Sequence, residues 1–553
     1  MKTCMRTKKI YKTIISAVLV AGIGVSCQKL GTKVYSVVPN ANFWSTPAQV
    51  AAGVAPAYTA LQGLPSGSIQ ELNEATTDEM IIPVRGGDWL DGNEHTQEWL
   101  HTWDKTHANV AGTWTSIFNG IGQANFTLSI VNALPSPPSN LANINAEVHV
   151  LRDYFYWLAI DNYGNVPYVT SFNVDPSTVK QSTSAAVYDS VVADLTTNIP
   201  LLPANVDATT YGRMTQWGGY ALLAKLYMNA QVYTGTAHWS DAITACNAII
   251  NSSNYGLLSD YFDNFSPTNS NLLSSGNENI LVVPFDKVNI GGMNWEMQTL
   301  HYQNNVNFAM SGSPWNGYSS DADFYYSFDT SSVYTTKGNI TYRSFNDQRT
   351  GQYLIGQQYS FVYTYPPSTN VVVNAPAADQ LSDLQFGIPL VFSPTVATLS
   401  DASGAFRGAG VRNVKYFPEQ GTSGNQSNDF ALFRYADILL MKAEAEVRSG
   451  TNLDDALNLV NQVITRAYGT SSNNWNASQL TLPNLLKERG IEMAWENYRR
   501  DDLIRFEVAD GIPYFTGARN PGKTQDPDKH TLIFPIPAAQ ISANPNLIQN
   551  PGY

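Results

Sequence analysis

The chain has 553 residues and a formal net charge of −13, with 43% hydrophobic, 12% aromatic and only 14% charged residues. This much apolar material excludes an intrinsically disordered chain, and the length predicts several subdomains around a large core. The negative charge makes nucleic acid a poor candidate partner, because phosphate backbones attract basic proteins. The sequence therefore predicts a large folded protein that does not bind nucleic acid.

The first 26 residues have the organisation of a secretory signal peptide. Five basic residues and no acidic residue precede or flank the apolar run 14–25. That run is 12 residues long, whereas a helix that spans a membrane needs about 20. We therefore expect residues 1–26 to be cleaved, which changes the net charge from −13 to −18 because the five basic residues leave with the signal.

The residues at the predicted cleavage point include a cysteine, Cys27. Small residues before a cysteine at the end of an apolar run resemble a bacterial lipobox, in which the cysteine is lipidated and becomes the mature N-terminus. Gly24 stands where that motif usually has leucine, so an ordinary signal peptide with an incidental cysteine is the alternative. Cys246 lies in an apolar helical pattern and is interpreted as a small buried hydrophobic residue. We predict lipidation at Cys27, followed by a polar tether that completes the segment 27–45.

Residues 46–261 carry helical periodicity. Trp114, Ile117 and Ile121 are spaced by three and four, as on one face of a helix. Small residues recur where neighbouring helices are expected to meet, namely Gly218, Ala221, Ala224, Ala242, Ala245 and Ala248. The pattern predicts paired helices with tetratricopeptide-like packing, although the spacing is too irregular for a strict repeat.

Residues 262–430 differ in composition from the helical region. Asn, Ser, Gly and Pro become dense, and apolar runs such as 280–283 are short enough only for short strands. Compact domains rarely carry so much irregular chain unless the loops bind something. We expect a variable, loop-rich region that faces a ligand.

Helical patterns return in residues 431–553. Leu439, Leu440, Ala443 and Val447 form an apolar stripe, and a glycine follows it at position 450. A second stripe over 453–467 predicts the partner helix of a hairpin. The predicted fold class is therefore mainly α, with tetratricopeptide-like repeats that support the loop-rich region and few short strands.

Several segments resemble the SusD/RagB family of nutrient-binding outer-membrane lipoproteins. The similar segments are Leu-Arg-Asp-Tyr-Phe-Tyr at 151–156, Gly-Asn-Val-Pro at 164–167, Gly-Arg-Met-Thr at 212–215, the stretch 77–89, Phe-Arg-Tyr-Ala-Asp at 433–437, Glu-Arg-Gly-Ile-Glu at 488–492 with Glu496, Arg499 and 502–505, Phe-Pro-Ile-Pro at 534–537, and the closing stretch 544–553. Together these segments extend over nearly the whole predicted mature chain, so chance agreement is negligible.

The resemblance implies a fold, a location and partners. It implies tetratricopeptide-like helices that support a variable loop-rich face, and an anchor in the outer membrane with the protein facing the cell exterior. It also implies an oligosaccharide ligand and a SusC-like TonB-dependent transporter barrel, over which the protein acts as a lid. Members of the family generally bind glycans and are not enzymes, and no cofactor is expected.

Arg85, Asp88 and Trp89 are the first candidate ligand-binding residues. A carboxylate accepts hydrogen bonds from sugar hydroxyls, a guanidinium donates them, and an indole face stacks on the apolar face of a pyranose. The competing interpretation is a capped helix followed by a solvated loop.

Trp295, Trp315 and Tyr318 are the second candidate group. They lie among glycines and asparagines of the loop-rich region. Exposed rings on such loops are costly unless they bind something, and a sugar platform is one use for them. The alternative is that each ring anchors its loop in the core.

Two groups of acidic residues invite a hydrolase interpretation. Glu488, Glu492 and Glu496 have helical spacing and neighbouring arginines, which favours an intramolecular ion-pair network. The second group, Glu71, Glu74, Asp78 and Glu79, could serve as the acids of a carbohydrate hydrolase. We keep that hydrolase as an alternative function, together with a purely structural or peptide-binding component of the transporter complex. No residue is assigned a catalytic role.

His95, His101 and His107 are spaced by six residues. On a helix this spacing turns successive side chains about 120° apart, so the three cannot share one metal ion. We predict no metal site and interpret them as polar residues at the surface or at the edge of the core. The leading functional prediction is a surface lipoprotein that captures a glycan and delivers it to the transporter without transforming it.

Overall fold

The computed structural model describes residues 46–274, 277–367 and 371–553. The predicted signal peptide, Cys27 and the tether to residue 45 lie outside the described residues, and those predictions stay predictions. Residues 51–553 form one compact unit. Within the described residues, no helix has the length and apolar character needed to cross a membrane.

Helices dominate this unit, which confirms the mainly α prediction. Sixteen α-helices lie in the described residues: α1 (Pro47–Thr59), α2 (Ser68–Glu74), α3 (Glu94–Leu100), α4 (Ala108–Asn132), α5 (Leu141–Tyr163), α6 (Ser184–Asn198), α7 (Gln216–Met228), α8 (Ala230–Thr234), α9 (Trp239–Ser252), α10 (Trp295–Thr299), α11 (Ala322–Tyr325), α12 (Tyr435–Ser449), α13 (Leu453–Tyr468), α14 (Leu482–Glu492), α15 (Arg499–Asp510) and α16 (Ala538–Ala543).

The long helices α4 and α5 pack against each other, and a glycine permits their approach. A Cβ atom at Gly120 would lie 2.6 Å from ring atoms of Phe155, so the ring occupies the space that a side chain would need. Helix α5 ends at Tyr163, because Gly164 follows it with φ 66°.

The two predicted helical regions form one continuous stack. Helix α9 packs against α7 on one side and against α12 on the other, and α12 packs in turn against α13 and α14. The apolar stripes of α12 and α13 face each other in a core that includes Leu440, Ala443, Leu459 and Val463. Helices separated by the whole loop-rich region therefore build a single tetratricopeptide-like array. Cys246 of α9 is a free, buried thiol within this array, as predicted.

Fifteen short strands lie in the described residues. They are β1 (Val84–Arg85), β2 (Val166–Pro167), β3 (Gln181–Ser182), β4 (Asn279–Val283), β5 (Ser332–Lys337), β6 (Ile340–Phe345), β7 (Tyr353–Leu354), β8 (Gly356–Gln357), β9 (Val371–Asn374), β10 (Ser382–Asp383), β11 (Ile388–Pro389), β12 (Val391–Phe392), β13 (Ser400–Asp401), β14 (Arg412–Asn413) and β15 (Phe430–Arg434). Strands β5, β6 and β9 form an antiparallel sheet, and the other strands pair in twos.

The loop-rich region is closed at its base by one strand pair. Strand β4 pairs antiparallel with β15, so Val283 faces Phe430 across the ladder. Strand β15 runs directly into α12, which ties the end of the loops to the helical array. A separate apolar core that includes Phe308, Tyr363 and Phe392 supports the loops between these two strands. The loops are thus anchored at both ends and packed against an apolar core of their own.

The predicted ion-pair network exists, but its partners differ from those expected. Helix α14 ends at Glu492, and Trp495 (φ 62°) adopts left-handed backbone geometry, so Glu496 does not continue the helical face. Arg434, far away in sequence, contacts Glu492 at 3.0 Å and Glu496 at 2.7 Å. The prediction of local arginine partners along one helix was therefore wrong. The network instead joins β15, α14 and the turn that follows α14, and all of its side chains are buried.

Candidate functional site

A short loop after β1 carries Asp88 and Trp89 to the surface. Strand β1 pairs in parallel with β13, and Gly86 (φ 78°) then turns the chain. Trp89 itself has φ 63°, which is unusual for a bulky residue. Its indole Nε1 donates to the carbonyl oxygen of Trp315 at 2.7 Å, which holds the ring in place.

The Trp89 ring rests on a glycine of the facing loop. A Cβ atom at Gly317 would lie 2.2 Å from the ring, so this contact requires glycine. Tyr318 and His95 flank the same ring, with centroid distances of 5.4 and 5.8 Å. Trp89 is half-buried, and part of its ring stays accessible.

Arg85 occupies a position different from the one predicted. Its side chain is buried, and its guanidinium donates to the carbonyl oxygens of Asn316, Gly317 and Ala409 and to Ser319 Oγ, at 2.7–3.1 Å. Burial lowers the pKa of Arg85 to about 9. All the hydrogen bonds described for this side chain go to the protein's own loops. The expectation of a surface donor to a ligand is corrected: Arg85 fastens the loop that carries Trp315.

Trp295 and Tyr318 are also buried, so neither presents an exposed face. Trp295 is 1% exposed and packs between Tyr416 and Trp495, with centroids at 5.0 and 5.5 Å. The hydroxyl of Tyr318 donates to Glu71 beneath the Trp89 ring. The predicted exposed rings are wrong at both positions, because α10 and the loop after it pack inward against the helical array.

Trp315 is the predicted ring that the structure does place at the surface, with 43% of the residue exposed. Asp88 is partly exposed, accepts a hydrogen bond from the Tyr302 hydroxyl and lies 3.3 Å from the guanidinium of Arg407. Arg407 stacks between Tyr302 and the exposed ring of Phe386, 4.7 and 5.6 Å from their centroids. We call the surface formed by Trp89, Trp315, Tyr302, Phe386, Asp88 and Arg407 the ring face.

The ring face combines partly accessible aromatic rings with the partly exposed carboxylate of Asp88 and with the guanidinium of Arg407, which is only 7% exposed. Arg407 Nε donates to Asp383 at 2.6 Å, so the guanidinium is anchored from behind. Burial alone would raise the pKa of Asp383, but Arg407 and its other partners hold it below its usual value. Charged groups held in this way can accept from and donate to hydroxyls beside a stacking ring without first being ordered. Such a surface suits an uncharged, hydroxyl-rich ligand with apolar ring faces.

Sequence reasoning missed three members of the ring face. Tyr302, Phe386 and Arg407 come from separate loops, and no spacing or motif links them to Asp88. The aromatic content of the loop-rich region was a general signal, but it could not single out these residues.

The acidic group near Glu71 does not form an open cleft. Glu74 and Glu79 are buried and accept hydrogen bonds from the backbone N–H groups of Asn497 and Trp495. Asp78 pairs with Arg499 at 2.7 Å. Burial raises the pKa of Glu74 to about 8. These acids connect α2 and the segment after it to the turn before α15. Their role in this structure is therefore to hold these segments together.

Glu71, His95 and Glu98 form the one group in the described residues that could present three ligand atoms to a metal ion, within 4.8 Å of one another. Each already has a protein partner: Asn109 donates to both carboxylates at 2.6 and 2.7 Å, and His95 lies 3.2 Å from Glu98. Burial raises the pKa of Glu71 to about 7, whereas the acids around His95 outweigh its burial and raise its pKa to about 9. The group thus acts as a hydrogen-bonded support under Trp89.

The other two histidines have separate surroundings. His101 lies 2.8 Å from both Asp526 and the carbonyl oxygen of Thr76, and His107 contacts the carbonyl oxygen of Glu94. All three histidines are buried. They therefore lie deeper than predicted, and each has its own partners.

Sequence comparison assigns the chain to a family. The profile described as "SusD family" matches residues 277–553, half of the chain. The chain belongs to the SusD family. A second profile, described as "Starch-binding associating with outer membrane", matches residues 70–228. The resemblance read from the sequence motifs is thereby confirmed.

Similar proteins of this family cover most of the chain. The starch-binding protein SusD of Bacteroides thetaiotaomicron is 23% identical over 87% of this chain and 84% of its own length. SusD-like protein P25 of Formosa agariphila is 25% identical, with 85% of each chain covered.

Solved structures share the fold of the SusD family seen here. Surface glycan-binding protein A from Bacteroides uniformis superposes with a TM-score of 0.68 and 18% identity, covering 91% of this chain and 99% of that one. The same-named protein from Bacteroides thetaiotaomicron, in complex with laminarihexaose, has a TM-score of 0.65 and 20% identity, with 91% and 99% covered. At these identities the likeness establishes the fold.

Proposed function

We propose that the protein is a non-enzymatic glycan-binding lipoprotein of the outer membrane, which captures an oligosaccharide on the ring face. The observation that carries this proposal is the placement of two rings, Trp315 and Phe386, at the surface beside the anchored pair Asp88–Arg407. Rings supply stacking surface, and the charged pair supplies an acceptor and a donor for sugar hydroxyls. The relatives named as starch-binding and laminarin-binding proteins support this ligand class.

Delivery and anchoring belong to the same proposal. The captured glycan passes to a SusC-like TonB-dependent transporter barrel, over which the helical array acts as a lid. Cys27 carries the lipid that keeps the protein at the membrane, facing the cell exterior. Family membership and the profile that describes outer-membrane association support these steps.

The ring face is tested by removing its exposed rings. The double variant W315A/F386A should weaken binding of laminarihexaose or maltohexaose, whichever the unaltered protein binds, by about 30-fold or more in calorimetry, since losing a stacking anchor costs roughly 2 kcal/mol. Tyr334→Ala is the matched control, because Tyr334 is an exposed ring on β5, outside the ring face. Unchanged affinity in the double variant would refute the ring face as the site.

The same preparation separates binding from the two alternatives. Incubation of the protein with the saccharide that it binds should release no new reducing ends, whereas their release would establish a hydrolase. Failure of every glycan on an array to bind, together with retained capture of the transporter, would establish a structural component.

A further inference from the structure

A second groove lies along helix α14, built from elements that do not contribute to the ring face. Two cavities of about 300 and 260 Å³ adjoin there and share Ser327 and Lys487 as lining residues. Helix α14 and the segment from Asp323 to Asp329 both line the two cavities. The groove therefore continues from one cavity into the next.

The wall contributed by α14 is one face of that helix. Asn484, Lys487, Glu488 and Ile491 line the first cavity, and their spacing of three, four and seven places them on one side. From Pro483 in the second cavity to Ile491 in the first, the helix rises about 12 Å. This length accommodates more than a single sugar ring.

Four aromatic side chains line the first cavity, and one of them, Phe328, is buried. Tyr326 is 61% exposed, while Tyr468 and Trp475 are partly buried against the core of the helical array. Asn461 fixes the backbone of Trp475 with hydrogen bonds of 2.7 and 3.0 Å, and Tyr468 donates to Asp329 at 3.1 Å. Tyr468 and Trp475 are thus held in position, and Tyr326 adds an exposed ring at the edge of the cavity.

Two polar groups in the groove have unused hydrogen-bonding capacity. Within the described part of the chain, neither Lys487 Nζ nor Trp475 Nε1 has a hydrogen-bond or ion-pair partner. The acids Glu488 and Asp347, which line the same cavity, are both bound to Arg349. Free donors beside fixed rings are the arrangement that a hydroxyl-rich ligand satisfies.

The net negative charge of the groove favours neutral over anionic glycans. Its two cavities are lined by five acidic and three basic side chains, so a sulfated or uronic-acid chain would meet net repulsion. We propose that this groove is a second saccharide-binding site, which takes a segment of a neutral glycan chain through stacking on Tyr326 and Trp475 and hydrogen bonds from Lys487. The ligand class rests on the proposed function, but none of the ring-face residues takes part.

The stoichiometry of binding tests the groove. The full mature chain is titrated in a calorimeter with neutral hexasaccharides, including laminarihexaose and maltohexaose. We expect two molecules bound per chain for the unaltered protein, and one for the groove variant Y326A/W475A. Because Trp475 also packs against the core, Ser327→Tyr is the second variant, which fills the junction of the two cavities from the loop side.

The variants of the two sites distinguish the two proposals. If W315A/F386A leaves one bound molecule and each groove variant also leaves one, both sites are established. If the unaltered protein binds one molecule and neither Y326A/W475A nor Ser327→Tyr changes it, the groove proposal is overturned while the ring face stands. If only the groove variants abolish binding, the ring face fails and the groove remains. Binding of no neutral hexasaccharide by the unaltered protein overturns the groove.

Discussion

The indole N–H of Trp89 donates to the carbonyl oxygen of Trp315 at 2.7 Å, across 226 residues of sequence. This bond joins the loop after β1 to the loop after α10, so the two rings are positioned relative to each other before any ligand arrives. Pre-positioning of this kind reduces the entropy lost on binding. A substitution among the residues that support these rings should therefore weaken ligand binding, even when the rings themselves are unchanged.

Gly317→Ala tests the support under Trp89. The added methyl group would lie 2.2 Å from the indole, and the ring must move away from its place beside Trp315. We expect at least a fivefold loss of glycan affinity in calorimetry, with a fall in the free energy of unfolding of roughly 1–3 kcal/mol. Gly122→Ala is the matched control, because a Cβ atom there meets nothing within 4 Å. Equal affinities in the two variants would contradict the proposed role of Trp89.

Arg85→Lys separates a supporting role from direct contact with the glycan. A lysine ammonium cannot reproduce the four hydrogen bonds that the guanidinium makes to Asn316, Gly317, Ser319 and Ala409. We expect loss of about 1–3 kcal/mol in the free energy of unfolding, measured in urea, together with weaker glycan binding. Weaker binding with unchanged stability would instead place Arg85 in contact with the glycan.

Most of the fold could be predicted from helical periodicity, because the buried face of a helix repeats along the sequence as a pattern of apolar residues. The stripe of Leu440, Ala443 and Val447 in α12 is an example. Short strands leave no such pattern. Val84 pairs with Ser400 in strands of two residues, and no periodicity can appear over that length.

The site was harder to predict, because exposure on a loop depends on distant partners. Trp295 and Trp315 have similar glycine- and asparagine-rich neighbours, yet Trp295 is buried against Trp495 and Trp315 is exposed. The difference arises from the turn after α14, far along the chain. Tyr302 and Arg407 likewise meet Asp88 only through tertiary packing.

The buried network around Glu492 predicts how stability changes with acid. Burial opposes the charged carboxylate, but Arg466, Arg434 and Arg349 outweigh it and lower the pKa from 4.5 to about 2. The folded state therefore gains roughly 3 kcal/mol from this ionised group above pH 4.5 and loses it as the pH falls toward 2.

The variant Glu492→Gln tests this predicted dependence of stability on pH. Unfolding measured in urea should show the variant several kcal/mol less stable than the unaltered protein at pH 7, because its arginine partners stay charged and buried. The difference should shrink as the pH falls from 4.5 toward 2. Lys287→Ala, which removes a partly exposed surface ion pair with Glu419, should change stability little at any pH. A difference between Glu492→Gln and the unaltered protein that stays constant down to pH 2 would contradict the lowered pKa.

Cys27→Ser tests the proposed anchor, which lies outside the described residues. Thioether lipidation needs the cysteine thiol, so the variant should lose the label when the producing cells are fed a radioactive fatty acid, and the protein should leave the membrane fraction. Cys246→Ser is the control, since that thiol is buried in α9 and its loss should leave the label unchanged. Each methylene group of a lipid that enters the bilayer contributes about 0.8 kcal/mol to membrane binding. Persistence of the label in Cys27→Ser would place the anchor elsewhere and remove the basis for a tethered lid.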